Sequence, residues 1–220
     1  MRNLFVAIAV VASLAATEAG AQSKPAQSQS QSQVPVVDSW VLALSWSPTF
    51  CNTRAGEKDL EQCGKGGRYG FIVHGLWPQF ARGGKPKDCP VGTGVPRDVA
   101  EKMLPLMPSH QLIEHEWLKH GACTGLSPAA YFDKTRAAAE KIKVPPGFKP
   151  DKPQSMSVAQ VEKAFGDANK GLGPDAVSVV CRKELASEVR ICLDKDLKFQ
   201  DCGGRVKDRC KADPKFEAVK

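Results

Sequence analysis

Histidine is scarce in this chain of 220 residues, occurring only four times. Chemistry that needs a side chain able to give or take a proton near neutral pH therefore has few places to reside. No Cys-x-x-Cys pair occurs among the eight cysteines, and their spacings are long and irregular. That argues against a structural zinc site, whose ligands come in close pairs. No His-Glu-x-x-His occurs either, which excludes the metallopeptidase helix that sets two His one turn apart on one face. Past the N-terminus no run is apolar enough to span a bilayer, and no segment repeats.

The apolar residues the chain does string together come first. Met1-Arg2-Asn3 precedes an apolar run from Leu4 to Ala16, and small residues follow at Ala19-Gly20-Ala21. A basic start, a short apolar core and an A-x-A-like end predict a secretory signal peptide over 1–21. The run is shorter than the ~20 residues a membrane anchor needs. Residues 22–35 are Ser/Gln-rich and poor in apolar side chains, as in a disordered leader. Residues 36–220 are then long enough for one domain with a sizeable core. The expected location is secreted or periplasmic, with no membrane attachment after cleavage and no partner subunit, the chain acting as a monomer.

Cysteine count and charge set two further bounds. Eight cysteines, at 51, 63, 89, 123, 181, 192, 202 and 210, form an even set, which in an exported protein reads as four disulfides. On the order of a hundred pairings are possible, and spacing alone does not choose among them. The formal charge is +7 with a pI near 9.0, which suits an acidic partner such as nucleic acid. A soluble basic surface without a partner is the plainer reading, and charge alone does not separate the two.

Periodicity places the elements. Residues 40–46 read as a central strand with Trp40, Leu42, Leu44 and Trp46 on one face. Residues 69–74 read as a second strand, after a turn at 64–67. Gly75 is then expected to turn the backbone, leaving His74 at a strand end. Residues 97–107 have helical spacing disturbed by Pro105, and 114–121 read as a helix ended by Gly121. Ser127-Pro128 opens a helix to about 142, and Ser157-Val158-Ala159-Gln160 is a capping box opening another to about 167. Residues 177–181 and 188–193 read as strands, with a turn at 194–196. Strands at both ends with helices between them predict an α+β fold, a central antiparallel sheet with helices packed alongside.

Three of the four histidines lie in two short segments, Phe71-Ile72-Val73-His74-Gly75-Leu76-Trp77-Pro78 and His115-Glu116-Trp117-Leu118-Lys119-His120-Gly121-Ala122-Cys123. On a helix at about 100° per residue, taking His115 as zero, Lys119 falls near 40°, Glu116 near 100° and His120 near 140°. Trp117 and Leu118 fall near 200° and 300°. The polar groups share a face, and Trp117 with Leu118 is expected to anchor the helix to the core. An ordinary amphipathic helix with a solvated polar stripe fits this pattern. So does metal-free phosphoryl transfer, which needs a proton acceptor, a proton donor and a cation near a developing phosphorane. Lys119 stands where a second zinc-ligating His would be, and its ammonium repels a cation.

Together the two segments resemble the ribonuclease T2 family. His74-Gly75-Leu76-Trp77-Pro78 resembles its first box, and His115 to Cys123 its second, His-Glu-Trp-x-Lys-His-Gly-x-Cys. The likeness extends to Trp46-Ser47-Pro48 through Cys51 and to Glu188-Val189-Arg190-Ile191-Cys192. The resemblance implies an enzyme that cuts single-stranded RNA, not DNA, with no metal or cofactor. The ribose 2′-OH attacks phosphorus to give a 2′,3′-cyclic phosphate, hydrolysed more slowly to a 3′-phosphate. It further implies His120 as general base and His74 as general acid. Glu116 and Lys119 would stabilise the pentacovalent state, His115 would bind phosphate and Trp77 would stack on a base. A bell-shaped pH profile with a mildly acidic to neutral optimum follows from the two histidines. Gln79 stands where some members carry an Asp that contributes to base preference, and His110 has no role. The family's pairings imply Cys51–Cys63, Cys89–Cys123, Cys181–Cys210 and Cys192–Cys202. A binding protein on the same fold would be expected to lack His74 or His120, and both are present.

Overall fold

The first expected strand, 40–46, spans Val37–Trp46 in the structure, a computed structural model that describes residues 36–64, 69–80, 92–148 and 152–218. The expected signal segment, the leader, Cys89 and most of the turn at 64–67 lie outside the described residues. In chain order the elements are β1 (Val37–Trp46), α1 (Ser47–Cys51), α2 (Leu60–Cys63), β2 (Phe71–Phe80), α3 (Arg97–Met103), α4 (His110–Lys119), α5 (Pro128–Glu140), β3 (Gln154–Ser155), α6 (Val158–Ala168), β4 (Val177–Arg182), β5 (Leu185–Asp194) and β6 (Lys215–Phe216). Strands at both ends flank a helical middle, and the class is α+β.

Sheet order is β2-β1-β5-β6-β3, with β4 also paired to β5. The neighbouring long strands pair antiparallel, β2 with β1, β1 with β5 and β5 with β4, but β6 meets β5 in parallel at Leu185 and Lys215. The sheet is therefore mixed rather than wholly antiparallel. β6 is a two-residue piece between β5 and β3, reached from β5 by a long connection, and no hairpin imposes an antiparallel return.

Alternation along β1 and β5 separates two faces. Trp40, Leu42 and Leu44 pair with Leu193, Ile191 and Val189, and all six are buried in the main core. On the opposite face Ala43 pairs with Arg190 and Ser45 with Glu188. The core face meets Ile113 and Trp117 of α4, Tyr131 and Phe132 of α5, and Val161 and Phe165 of α6. At one end Trp46, Phe71, Phe148, Phe165 and Phe216 pack edge-on or tilted, with ring centroids 5.0 to 6.2 Å apart. Such pairs contribute about 0.5–1.5 kcal/mol each beyond area burial.

Local chemistry explains the helix starts. The Ser127 hydroxyl accepts the Ala130 N–H, and Ser157 and Gln160 bond reciprocally as a capping box. Ser109 accepts the Leu112 N–H and starts α4 at His110, one turn earlier than expected. α3 stops at Met103 rather than running to 107, because Pro105 lacks an N–H and its ring clashes with the preceding turn. Cys51–Cys63, Cys181–Cys210 and Cys192–Cys202 are bonded as the resemblance implied. Each adds roughly 2–4 kcal/mol by restricting the unfolded chain. The pairing of Cys89 with Cys123 lies outside the described residues.

Candidate active site

β2 does not end at His74. It runs on to Phe80, and its register against β1 slips between Ala43–Gly75 and Leu44–Val73. His74 is the extra residue of this β-bulge. A bulge bends the strand and re-aims the side chain at it. Here Val73 and Leu76 both reach the core, while His74 is turned out beside Trp77. The expected turn at Gly75 is absent. Gly75 is needed for a different reason: a β-carbon there would collide with the Glu116 carboxylate and crowd Trp77 Nε1.

α4 presents a different face from the expected one. Ile113, Glu116 and Trp117 are buried, whereas Leu118 is 39% exposed and is not part of the anchor. The wheel angles explain the shift. Ile113, Glu116, Trp117 and His120 span about 100° centred near 150°, and Leu118 at 300° points away. The inward stripe thus carries two apolar and two polar groups, and the polar pair meets β2. His115 and Lys119 lie on the exposed side of α4. The helix ends at Lys119 with His120 as its C-cap. Gly121 is not a left-handed cap; a β-carbon there would run into the rings of Trp117 and Tyr131.

Glu116 is the hub of the site and is 1% exposed. Its Oε2 accepts the Trp77 Nε1–H at 2.7 Å and lies 3.8 Å from His120 Nε2. Its Oε1 lies 3.4 Å from His74 Nε2. The His120 ring stacks on Trp77 at 5.3 Å between centroids, and His74 meets the same indole edge-on at 5.3 Å. The structure therefore brings together His74, Trp77, Glu116 and His120. Gln79 turns back on its own backbone, donating from Nε2 to the Trp77 and Pro78 carbonyls. His110 stays outside the site at the head of α4, where Glu61 accepts both its N–H and its Nδ1–H.

Two residues without a sequence-assigned role complete the constellation. His74 Nδ1 donates to Glu188 Oε1 at 2.9 Å. Arg190 donates from Nε and Nη2 to Glu188 Oε2 at 2.8 and 2.6 Å, and its guanidinium lies 4.8 Å from the Trp77 ring centre. Their signal in the sequence is two charges alternating with Val189 and Ile191 in a strand of a buried sheet. Burial alone would lower the His74 pKa, but hydrogen bonds to Glu116 and Glu188 outweigh it and raise the value to about 9. Burial would raise Glu188, and His74 with Arg190 holds it below the usual carboxylate range instead. The arrangement holds one imidazolium between two carboxylates, with a second imidazole one carboxylate away.

The family model for "Ribonuclease T2 family" matches residues 37–202. The chain belongs to the ribonuclease T2 family. It is 30% identical over 171 residues to a ribonuclease of Aeromonas hydrophila, spanning 76% of this chain and 77% of that protein. It is 34% identical over 121 residues to a probable ribonuclease of Haemophilus influenzae, spanning 50% of this chain and 44% of the relative. Solved structures agree in fold. One is ribonuclease NT in complex with 5′-AMP, with TM-score 0.59 and 23% identity, covering 82% of this chain and 99% of that one. Another is trichomaglin, an S-like ribonuclease, with TM-score 0.62 and 21% identity, covering 82% and 98%. The protein is an endoribonuclease of the T2 type, acting on RNA. Its disulfides suit an oxidising compartment. Among the described residues no helix is long and apolar enough to cross a membrane.

Proposed function

We propose that this T2 ribonuclease cleaves single-stranded RNA without a metal, by attack of the ribose 2′-OH on the adjacent phosphorus. His120 takes the 2′-OH proton as the 2′-oxygen bonds to phosphorus. The bond to the 5′-oxygen breaks, and His74 delivers a proton to that oxygen. The 2′,3′-cyclic phosphate is hydrolysed more slowly to a 3′-phosphate. Glu116 and Lys119 act at the pentacovalent phosphorus, His115 binds phosphate and Trp77 contacts a base. The nucleophile is already next to phosphorus, so the protein's task is to orient groups and move protons.

The observation that carries this reading is His74 held between Glu116 and Glu188, with Glu116 also at His120. A general acid must be protonated at the working pH, and His74, raised to about 9, meets that requirement. The same shift puts the alkaline limb of the expected bell-shaped profile above neutrality. Export through removal of residues 1–21, action as a monomer and sparing of DNA, which lacks the 2′-OH, belong to the same proposal.

Purified protein with yeast RNA in EDTA tests it. Expected are fragments with 2′,3′-cyclic ends, intact DNA and a bell-shaped pH profile. Activity abolished by the chelator would place a metal in the reaction. No cleavage at any pH would leave an RNA-binding protein.

A further inference from the structure

Glu188 and Arg190 reach the site from β5, two strands away from His74 across the small residues Ala43 and Ser45. We propose that Glu188 is a positioning residue for the acid histidine. By accepting the Nδ1–H it holds His74 in the orientation and tautomer in which Nε2 carries the proton that leaves. The proposal rests on the reading of His74 as general acid.

The two hydrogen-bond distances set the asymmetry. Glu188 lies 2.9 Å from Nδ1, within good hydrogen-bond range, whereas Glu116 lies 3.4 Å from Nε2. The Nδ1 proton is bound more tightly and the Nε2 proton is the one free to move. Glu188 is itself fixed, because Arg190 occupies its second oxygen with two N–H donors. A carboxylate behind the distal nitrogen of a catalytic imidazole sets both ring orientation and tautomer. As the bond to the 5′-oxygen breaks, its electron pair stays on that oxygen and the Nε2 proton moves to it. His74 is left neutral, with Nδ1–H still donated to Glu188. Without the anchor the ring could turn or carry its remaining proton on the wrong nitrogen, and the return proton transfer during cyclic-phosphate hydrolysis would be misdirected.

The test compares two substrates. A dinucleoside monophosphate has an alkoxide leaving group that needs a proton, and a uridine 3′-(4-nitrophenyl phosphate) has a phenolate that does not. Glu188→Gln keeps the size of the side chain and removes its charge. The expected result is a fall in kcat of about 10- to 100-fold on the dinucleotide, with KM changed less than about twofold. On the aryl ester, kcat should stay within about threefold of the unmodified protein. Equal losses on both substrates, or no loss on either, would overturn the proposal. Nitrogen-15 spectra of the unmodified protein above the titration of His74 give an independent reading that needs no variant. The neutral ring should carry its proton on Nδ1, and a proton on Nε2 would overturn the assignment even if the variant failed to fold. His74→Ala on the same substrates separates the two levels. If its loss is as large on the aryl ester as on the dinucleotide, the acid role itself fails. If only the Glu188 variant behaves that way, the acid role stands and the anchor does not.

Discussion

Gly75 and Glu116 approach so closely that position 75 has no room for a β-carbon. A glycine in the first histidine box thus makes space for a carboxylate from the second. Gly75→Ala should push the Glu116 side chain off Trp77 Nε1 and away from both imidazoles. Overpacking of this kind costs about 1–3 kcal/mol of stability. The larger effect is expected on turnover, a fall in kcat of about 10- to 1,000-fold. Steady-state kinetics beside a thermal melt checks the balance; a protein destabilised but fully active would remove Glu116 from the mechanism.

Trp77 has two separable duties, an N–H for Glu116 and a ring beside His120. Trp77→Phe keeps a ring and deletes the donor, leaving a buried carboxylate oxygen short of a partner at a cost of about 1–3 kcal/mol. kcat should fall while KM for RNA stays near its original value. Trp77→Ala also removes the surface proposed for base contact, worth roughly 1–3 kcal/mol of binding, so KM should rise as well. Equal KM for the two variants would count against base stacking.

The ion pairs around His74 make stability depend on pH in a defined direction. A histidine raised to about 9 binds its proton more tightly in the fold than when unfolded. Its stabilisation is fully present below its ordinary value near 6.5 and is lost as pH rises through about 9. Glu188 is lowered, so its contribution is present above the ordinary carboxylate range and fades as pH falls through its folded value. Melting temperatures should therefore decline on the alkaline side, as pH rises from neutrality through about 9. His74→Asn should flatten the alkaline decline, and an unchanged decline in that variant would locate its cause elsewhere.

Glu162 on α6 points the other way. Partial burial first, and then the nearby Asp208 and Asp175, raise its carboxyl to about 7. The fold prefers it protonated, so its favourable contribution is present below about 4.5 and is lost as pH rises through about 7. Glu162→Gln is expected to raise the melting temperature at pH 8 and leave it nearly unchanged at pH 4, as read by calorimetry. Activity should be untouched, since α6 contributes no group to the site.

Several features were legible along the chain because their causes are local. Ser127-Pro128 and the Ser157–Gln160 box start helices through bonds that reach only three residues. The strand at Trp40–Trp46 announces its core face by alternation. His74, Trp77, Glu116 and His120 were candidates because two short segments gather them, and they do converge. The wheel of α4 was less informative. With polar residues in the majority, periodicity groups them but does not say which flank of the group turns inward. The packing of Ile113 and Trp117 decided that, taking Glu116 and His120 in and leaving Leu118 out.

By itself the amino-acid order determined the two boxes, the helix caps and the alternation of the long strands, all consequences of bonds and spacings within a few residues. Only the tertiary structure decided that β2 continues past His74 through a bulge, since register is a property of two strands and not of one. It also decided that Glu188, 114 residues further on, would stand behind the His74 ring. A charge pair in a strand carries no address until sheet pairing lays that strand beside the histidine it serves.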